Sequence, residues 1–230
     1  MSSRIAAEAH VTVANKRPGS IAGLSGVKGS AYPAKITKLA IGDADNYVPA
    51  KGEALTVDGL PSDLDGVIDP TEAFAPLGYE VDLPRRQLSA FDPKLDPLSL
   101  SRQPMDGTVV KWMSEPTGRR PFVTLSNGDR ALIDTGSALG LGIRDRDAQA
   151  SNSAHVVRDI GGGRITARRV TTRDISIGSL DLQRIPTDLI SGADVDAPVL
   201  LGLAALRPFR LRFDPLHRLI EIAPDRGGRF

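Results

Sequence analysis

A mainly β fold, a sandwich or barrel of short strands, is what this sequence predicts, and three observations carry the expectation. Glycine and proline are plentiful, at 23 and 17 of 230 residues, while aromatic residues make up only 4 %. The apolar segments are short and are separated by turn signals. Helical periodicity is weak throughout, apart from two brief stretches.

Taken in order, Val11 to Val13 and Ile36 to Ile41 read as strands, and Thr71 to Phe74 as a short helical turn. Pro121 to Leu125 is the next strand and Ser126 to Asp129 a hairpin turn. Its Asn127-Gly128 pair suits a two-residue turn with positive φ at both central positions. Arg130 to Ile133 then returns antiparallel and delivers Asp134 into Thr135-Gly136-Ser137. Val170 to Ile177 and Leu219 to Ile222 are further strands. Between them Val199 to Gly202 leads into a short helix, Leu203 to Leu206, followed by Phe209 to Phe213.

Composition narrows the function classes. Lysine and arginine total 29 against 28 acidic residues, so the overall charge shows no preference for nucleic acid or acidic substrates. The pairs Arg119-Arg120 and Arg168-Arg169, and Arg207, Arg210 and Arg212, read as solvated faces. With no cysteine, disulfides, cysteine-ligated zinc and thiol catalysis are excluded. No apolar stretch approaches a membrane span, and Met1 to Ser20 lacks a signal-peptide core, so a soluble chain is expected.

The two halves of the chain look like copies of one unit. His10 to Val13 matches His155 to Arg158 at an offset of 145 (155 − 10), and Lys38 to Gly42 matches Asp174 to Gly178 at 136 (174 − 38). Val67 to Asp69 matches Leu200 to Gly202 at 133, and Val81-Asp82 matches Phe213-Asp214 at 132. Offsets that fall steadily are what insertions into a duplicated ancestor produce. The largest drop spans Pro18 to Ser30, a longer Gly-rich loop in the first copy, and Asp69 stands where the second copy has Gly202. Two tandem lobes follow, residues 1–100 and 108–230, with Leu95 to Gly107 as connector.

An acidic residue at the end of a buried strand is costly unless it is paired or used. The run Ala131 to Ser137 makes Asp134 such a residue, and Gly136 allows a sharp turn after it. With the element Val199 to Gly202 about 68 residues later and the Gly-rich Ile160-Gly161-Gly162-Gly163 between them, this segment resembles the catalytic lobe of a retropepsin-like or pepsin-like aspartic protease. The resemblance covers residues from about 105 to 224. It implies an aspartic-protease-like fold of closed β-barrel or sandwich lobes, with Asp134 catalytic and Thr135, Gly136 and Ser137 supporting its loop. Ile160, Gly161, Gly162 and Gly163 are then the flap over a bound peptide. No cofactor and no metal is implied; the partner is a peptide or protein substrate, neither nucleic acid nor membrane. Bacterial relatives of this lobe are often exported.

Such chemistry needs two carboxylates on one water, one to take its proton and one to protonate the peptide carbonyl oxygen. At about 3.5 Å and an effective dielectric near 20, two carboxylates repel by roughly 4–5 kcal/mol. That separates their titrations by about three pH units, so one is charged while the other keeps its proton. Here Asp-Thr-Gly occurs once, and the matching position of the first lobe falls before Met1. An incomplete first lobe is therefore expected, with the second Asp from a missing N-terminal segment or from another subunit in a homodimer. Alone, Asp134 is expected to titrate near an ordinary Asp. The Ser137 hydroxyl either donates to it or makes a local turn bond.

Other chemistries find less support. His10, His155 and His217 lack metallohydrolase spacing, no Gly-x-Ser-x-Gly elbow is present, and the glycines at 161–163 are not followed by Gly-Lys-Ser/Thr. Trp112 reads as a packing residue. Asp58, Asp63, Asp65 and Asp69 lack the spacing of a calcium loop. A non-catalytic peptide-binding or assembly module is the rival reading.

Overall fold

The computed structural model describes residues 1–15, 17–40, 53–113, 120–144, 153–194 and 199–225. Strand accounts for 48 % and helix for 7 %, which makes the protein mainly β. Helix α1 (Ser3–Glu8) precedes β1 (Thr12–Val13), β2 (Gly19–Ala22), β3 (Lys28–Lys35) and β4 (Glu53–Val57). Helix α2 (Pro70–Ala73) leads to β5 (Gly78–Asp82), β6 (Gln87–Phe91) and β7 (Thr108–Lys111). Next come β8 (Phe122–Thr124), β9 (Arg130–Asp134), β10 (Leu141–Ile143), β11 (Ala154–Arg158), β12 (Arg164–Ile177) and β13 (Leu180–Ser191). The chain ends with β14 (Val199–Gly202), helix α3 (Leu203–Leu206), β15 (Phe209–Asp214) and β16 (Leu219–Pro224).

These elements form two compact units that interleave along the chain. Unit one holds Met1–Ala75, His155–Ala167 and Ser191–Ala197; unit two holds Pro76–Ala154, Arg168–Ile190 and Pro198–Phe230. Residues 100 and 108, where the sequence suggests a boundary between lobes, both fall inside unit two.

In unit one, β3 is the centre of an antiparallel sheet. Its residues 28–31 pair with β2, 34–35 with β1, and 31–35 with β4 on the other side. Pro33 sits at the break between β2 and β1, where its missing N–H costs no ladder bond, and its carbonyl accepts from Ala14 N at 2.8 Å. Ala6, Ala31, Ala34 and Val57 are buried. The expected strand Ile36 to Ile41 does not form over the described residues 36–40; the ladder has already ended at Lys35. The hairpin of β11 and the start of β12 completes this unit, with β11 beside β12 in the sheet.

Unit two contains the five-stranded sheet β6-β5-β15-β16-β7 and the strands β12-β13-β10-β14-β9-β8 of a second sheet. Leu211, Phe213, Ile220 and Ile222 are buried in the five-stranded sheet. Tyr79 stacks on Phe213 at 4.6 Å and Trp112 meets it edge-on at 6.0 Å, as the packing role of Trp112 requires. Full burial of each such side chain contributes about 1.5–3 kcal/mol.

Two hairpins of this sheet are built alike. In β5–β6 the closing pair is Asp82↔Gln87, and in β15–β16 it is Asp214↔Leu219, an offset of 132 in both (214 − 82, 219 − 87). Arg86 and Arg218, also 132 apart, both adopt left-handed φ, +55° and +57°. Between the hairpins the pairs are Tyr79↔Phe213, Glu80↔Arg212, Val81↔Leu211 and Asp82↔Arg210. Adding the offset maps this register onto itself, so a local two-fold axis passes through the Glu80↔Arg212 pair.

Closed barrels do not form: among the described residues every sheet is open. The ends show why. Strand β6 is largely exposed at one end of the five-stranded sheet, while β8, at one end of the other sheet, is only three residues long and carries the Met113–Phe122 bridge on its far side.

Candidate functional site

The site is built on β9. Its burial alternates, placing Ala131 and Ile133 in the core and leaving Asp134 half-buried at the C-terminal end. The hairpin feeding β9 is wider than the sequence suggests. Leu125 N bonds Asp129 O at 2.9 Å, and only Gly128 is left-handed, at φ +88°. Asn127 instead uses its side chain, accepting from Asp129 N at 3.0 Å.

After β9 the chain turns at once, with Ser137 N donating to Asp134 O at 3.1 Å. Gly136 N donates to the Asp134 carboxylate at 3.0 Å, and the Ser137 N–H also points to it. Gly136 does not use a left-handed conformation; a Cβ there would stand 3.2 Å from Asp134 Oδ1, so its role is to let the carboxylate fold back. The Ser137 hydroxyl accepts from Leu139 N at 3.4 Å, which is the local turn bond. Thr135 is half-buried beside it.

Strand β14 runs parallel to β9 with Gly202 opposite Asp134 and the buried Leu201 opposite Ile133. Where β14 becomes α3, Leu203 N bonds Ser137 O at 2.7 Å, Ala204 N bonds Leu139 O at 3.1 Å and Gly202 N bonds Gly140 O at 2.8 Å. Those bonds bring the backbones so close that a Cβ on Gly202 would lie 2.4 Å from Leu139 O and 2.9 Å from Ser137 O. This explains glycine after two apolar residues: the loop carrying Asp134 rests directly on residue 202.

Burial pushes the Asp134 carboxyl above its ordinary value, and the Gly136 and Ser137 N–H groups pull back without cancelling the effect. An ordinary titration, the expectation from sequence, is thereby corrected. No ion pair joins Asp134 to any described residue. Asp134 is a carboxyl whose charged form burial opposes, rather than half of a structural salt bridge among the described residues.

Ile160, Gly161, Gly162 and Gly163 lie at the tip of the β11–β12 hairpin, in unit one. Gly162 is exposed and left-handed at φ +81°, while Gly161 and Gly163 are buried. Asp134 to Ser137 thus gather with Gly202 in unit two, and residues 160–163 gather with Gly23 to Val27 in unit one. The acidic residues at 58–69 go separate ways. Asp58 accepts from Ser3 Oγ at 2.8 Å, Asp65 pairs with Arg4, and Asp69 caps α2 by accepting from Thr71 N at 2.9 Å.

Three carboxylates to which the sequence assigned no bonding role are structurally busy. Asp82 Oδ1 accepts from Arg85 N at 3.0 Å and its Oδ2 from Arg85 Nη1 at 2.8 Å. Asp214, fully buried, repeats this: Oδ1 accepts from His217 N at 2.9 Å, while Oδ2 meets His217 Nδ1 at 2.8 Å and Leu98 N at 3.1 Å. The shared spacing Asp-x-x-Arg/His-Arg was the visible signal. Asp159, two residues before the glycines, is the third. No protein-family model matches the sequence, and no curated protein matches it at a significant level.

Proposed function

We propose that the chain is one part of an aspartic endopeptidase, an aspartic-protease-like protein of two tandem lobes, 1–100 and 108–230, in which Asp134 supplies one carboxyl of the catalytic pair. The observation that carries this is the state of Asp134: half-buried at a strand end, held by two backbone N–H groups, raised in pKa and, among the described residues, without a cation. A structural aspartate would be expected to have a salt bridge or a full set of donors, as Asp82 and Asp214 have. The tandem reading draws on the 132-residue offset between the hairpins, and on Asp69 and Gly202 standing at the N-caps of α2 and α3.

In this reading the ionised carboxylate takes a proton from water as the oxygen attacks the peptide carbonyl carbon. The protonated partner gives its proton to the carbonyl oxygen. Collapse of the resulting diol breaks the C–N bond, and the amine leaves with a proton. The substrate lies extended, as a strand, along the loop that carries Asp134. The second carboxyl comes from another polypeptide segment or from a second copy of the chain. That Asp-Thr-Gly occurs once favours a second reading, a peptide-binding module without turnover.

Incubating the chain with an unstructured protein at pH 4–6, with and without the transition-state mimic pepstatin, tests the proposal. Cleavage is expected in the parent, blocked by pepstatin and lowered at least a thousandfold in Asp134→Asn. A rate rising with the square of concentration would mark a second copy as the donor of the partner carboxyl. Cleavage that persists in Asp134→Asn would overturn the assignment. Peptide binding without cleavage would leave the module reading.

A further inference from the structure

The loops joining β2 to β3 and β11 to β12 meet inside unit one, and the Asp159 carboxylate bonds to both of them. Asp159 divides its two oxygens. Its Oδ1 serves its own turn, accepting from Gly161 N at 3.0 Å and Gly163 N at 2.9 Å. Its Oδ2 crosses to the other hairpin and accepts from Ser25 N at 2.8 Å, and the Ser25 side chain hydrogen-bonds the same carboxylate.

The surfaces around this link leave no space for side chains. A Cβ on Gly23 would stand 2.3 Å from Asp159 Cγ, one on Gly161 2.2 Å from the Val27 carbonyl oxygen, and one on Gly163 1.8 Å from Ser25 Oγ. Close approach of this kind is what glycine permits and any other residue forbids. Burial works against the charge of Asp159, yet its donors outweigh burial and hold the carboxyl below the usual carboxylate value. Charge-assisted bonds to backbone N–H groups are the stronger class of hydrogen bond.

We propose that Asp159 is a clasp: through Oδ2 it fastens the tip at 159–163 to the tip at 23–27, and loss of that one link lets the tips separate while each hairpin keeps its own turn. The clasp rests on contacts within unit one and does not depend on the proteolytic reading. If residues 160–163 act as a flap, the same link sets how readily the flap lifts.

The division of labour between the oxygens makes the test selective. In Asp159→Asn the amide carbonyl still accepts from Gly161 and Gly163, but its NH₂ group faces the N–H of Ser25, donor against donor. In Gly163→Ala the carboxylate is intact and the new methyl meets Ser25 instead; Gly163 has no left-handed φ, so its backbone tolerates alanine. Amide hydrogen exchange on the full chain reads both. Protection of Ser25 N–H is expected to fall at least tenfold in each variant, with Gly161 N–H changed less than about threefold in Asp159→Asn and the melting transition retained. Unchanged Ser25 protection in either variant would overturn the clasp. So would loss of protection spread evenly over the amides of unit one, which would make Asp159 a general support of the fold.

Discussion

Asp134 carries its charge where burial opposes it, and that has a measurable consequence. Its folded pKa is raised, so between the ordinary carboxylate value and the folded value the native state binds more protons than the unfolded chain. The stability contribution is therefore fully present below the ordinary value and is lost as pH rises through the folded pKa. Asp134→Asn removes the charge and keeps an oxygen to accept from Gly136. At pH 7 the variant is expected to be more stable than the parent, by on the order of 1 kcal/mol. By pH 3 the advantage should vanish. Urea midpoints at the two pH values check this, and a variant less stable at pH 7 would show that the carboxylate is structurally satisfied.

At the scale of elements, what could be read from sequence is what local pattern encodes. Strands β9 and β14 were legible because short apolar runs end in Asp and Gly, and α3 because Leu203 to Leu206 is a compact apolar turn. Strand β13 was not legible. Its alternation slips at Gln183 and Arg184, both exposed, where Arg184 adopts φ +51° as at a bulge, and Pro186 follows inside the strand. Strand β3 hid behind Pro33 in the same way. The Asp134 loop was readable as a motif, but its raised pKa was not, since burial is set by β14 and α3 arriving from far along the chain. The twin hairpins allow a graded test. Asp82→Ala removes the acceptor for two bonds, both from a half-exposed Arg85 that keeps a second partner in Asp225. Asp214→Ala also strands the buried Leu98 N–H. Losses of about 1 kcal/mol and about 3 kcal/mol are expected, respectively, read as shifts in denaturant midpoint. Equal losses would mean that the Leu98 bond contributes nothing.

Across the whole molecule, the way the chain is shared between compact units bears on whether 1–100 and 108–230 stand alone. Unit two takes β5 and β6 from the first of these segments and seats β5 against β15 over four residue pairs. A fragment 108–230 would lack that neighbour, exposing the β15 edge and the face of Phe213 on which the buried Tyr79 stacks. Lost Tyr79 burial costs about 1.5–3 kcal/mol, and the ring stacking adds about 1 kcal/mol. The local two-fold offers the bare edge a substitute, a second β15 in place of β5. Symmetry then sets Arg212 against Arg212 where Glu80 had faced Arg212, and like charges directly opposite in a sheet are unfavourable. Self-association of the fragment should therefore strengthen as salt screens that repulsion. The fragment is expected to melt at least 10 °C below the full chain, to dimerise more at 0.5 M than at 0.05 M salt, and to return to a monomeric, more stable species when residues 1–100 are co-expressed with it. Sedimentation velocity and thermal melts measure all three, and a fragment as stable as the full chain and monomeric at both salt concentrations would show that β5 is dispensable to the second lobe.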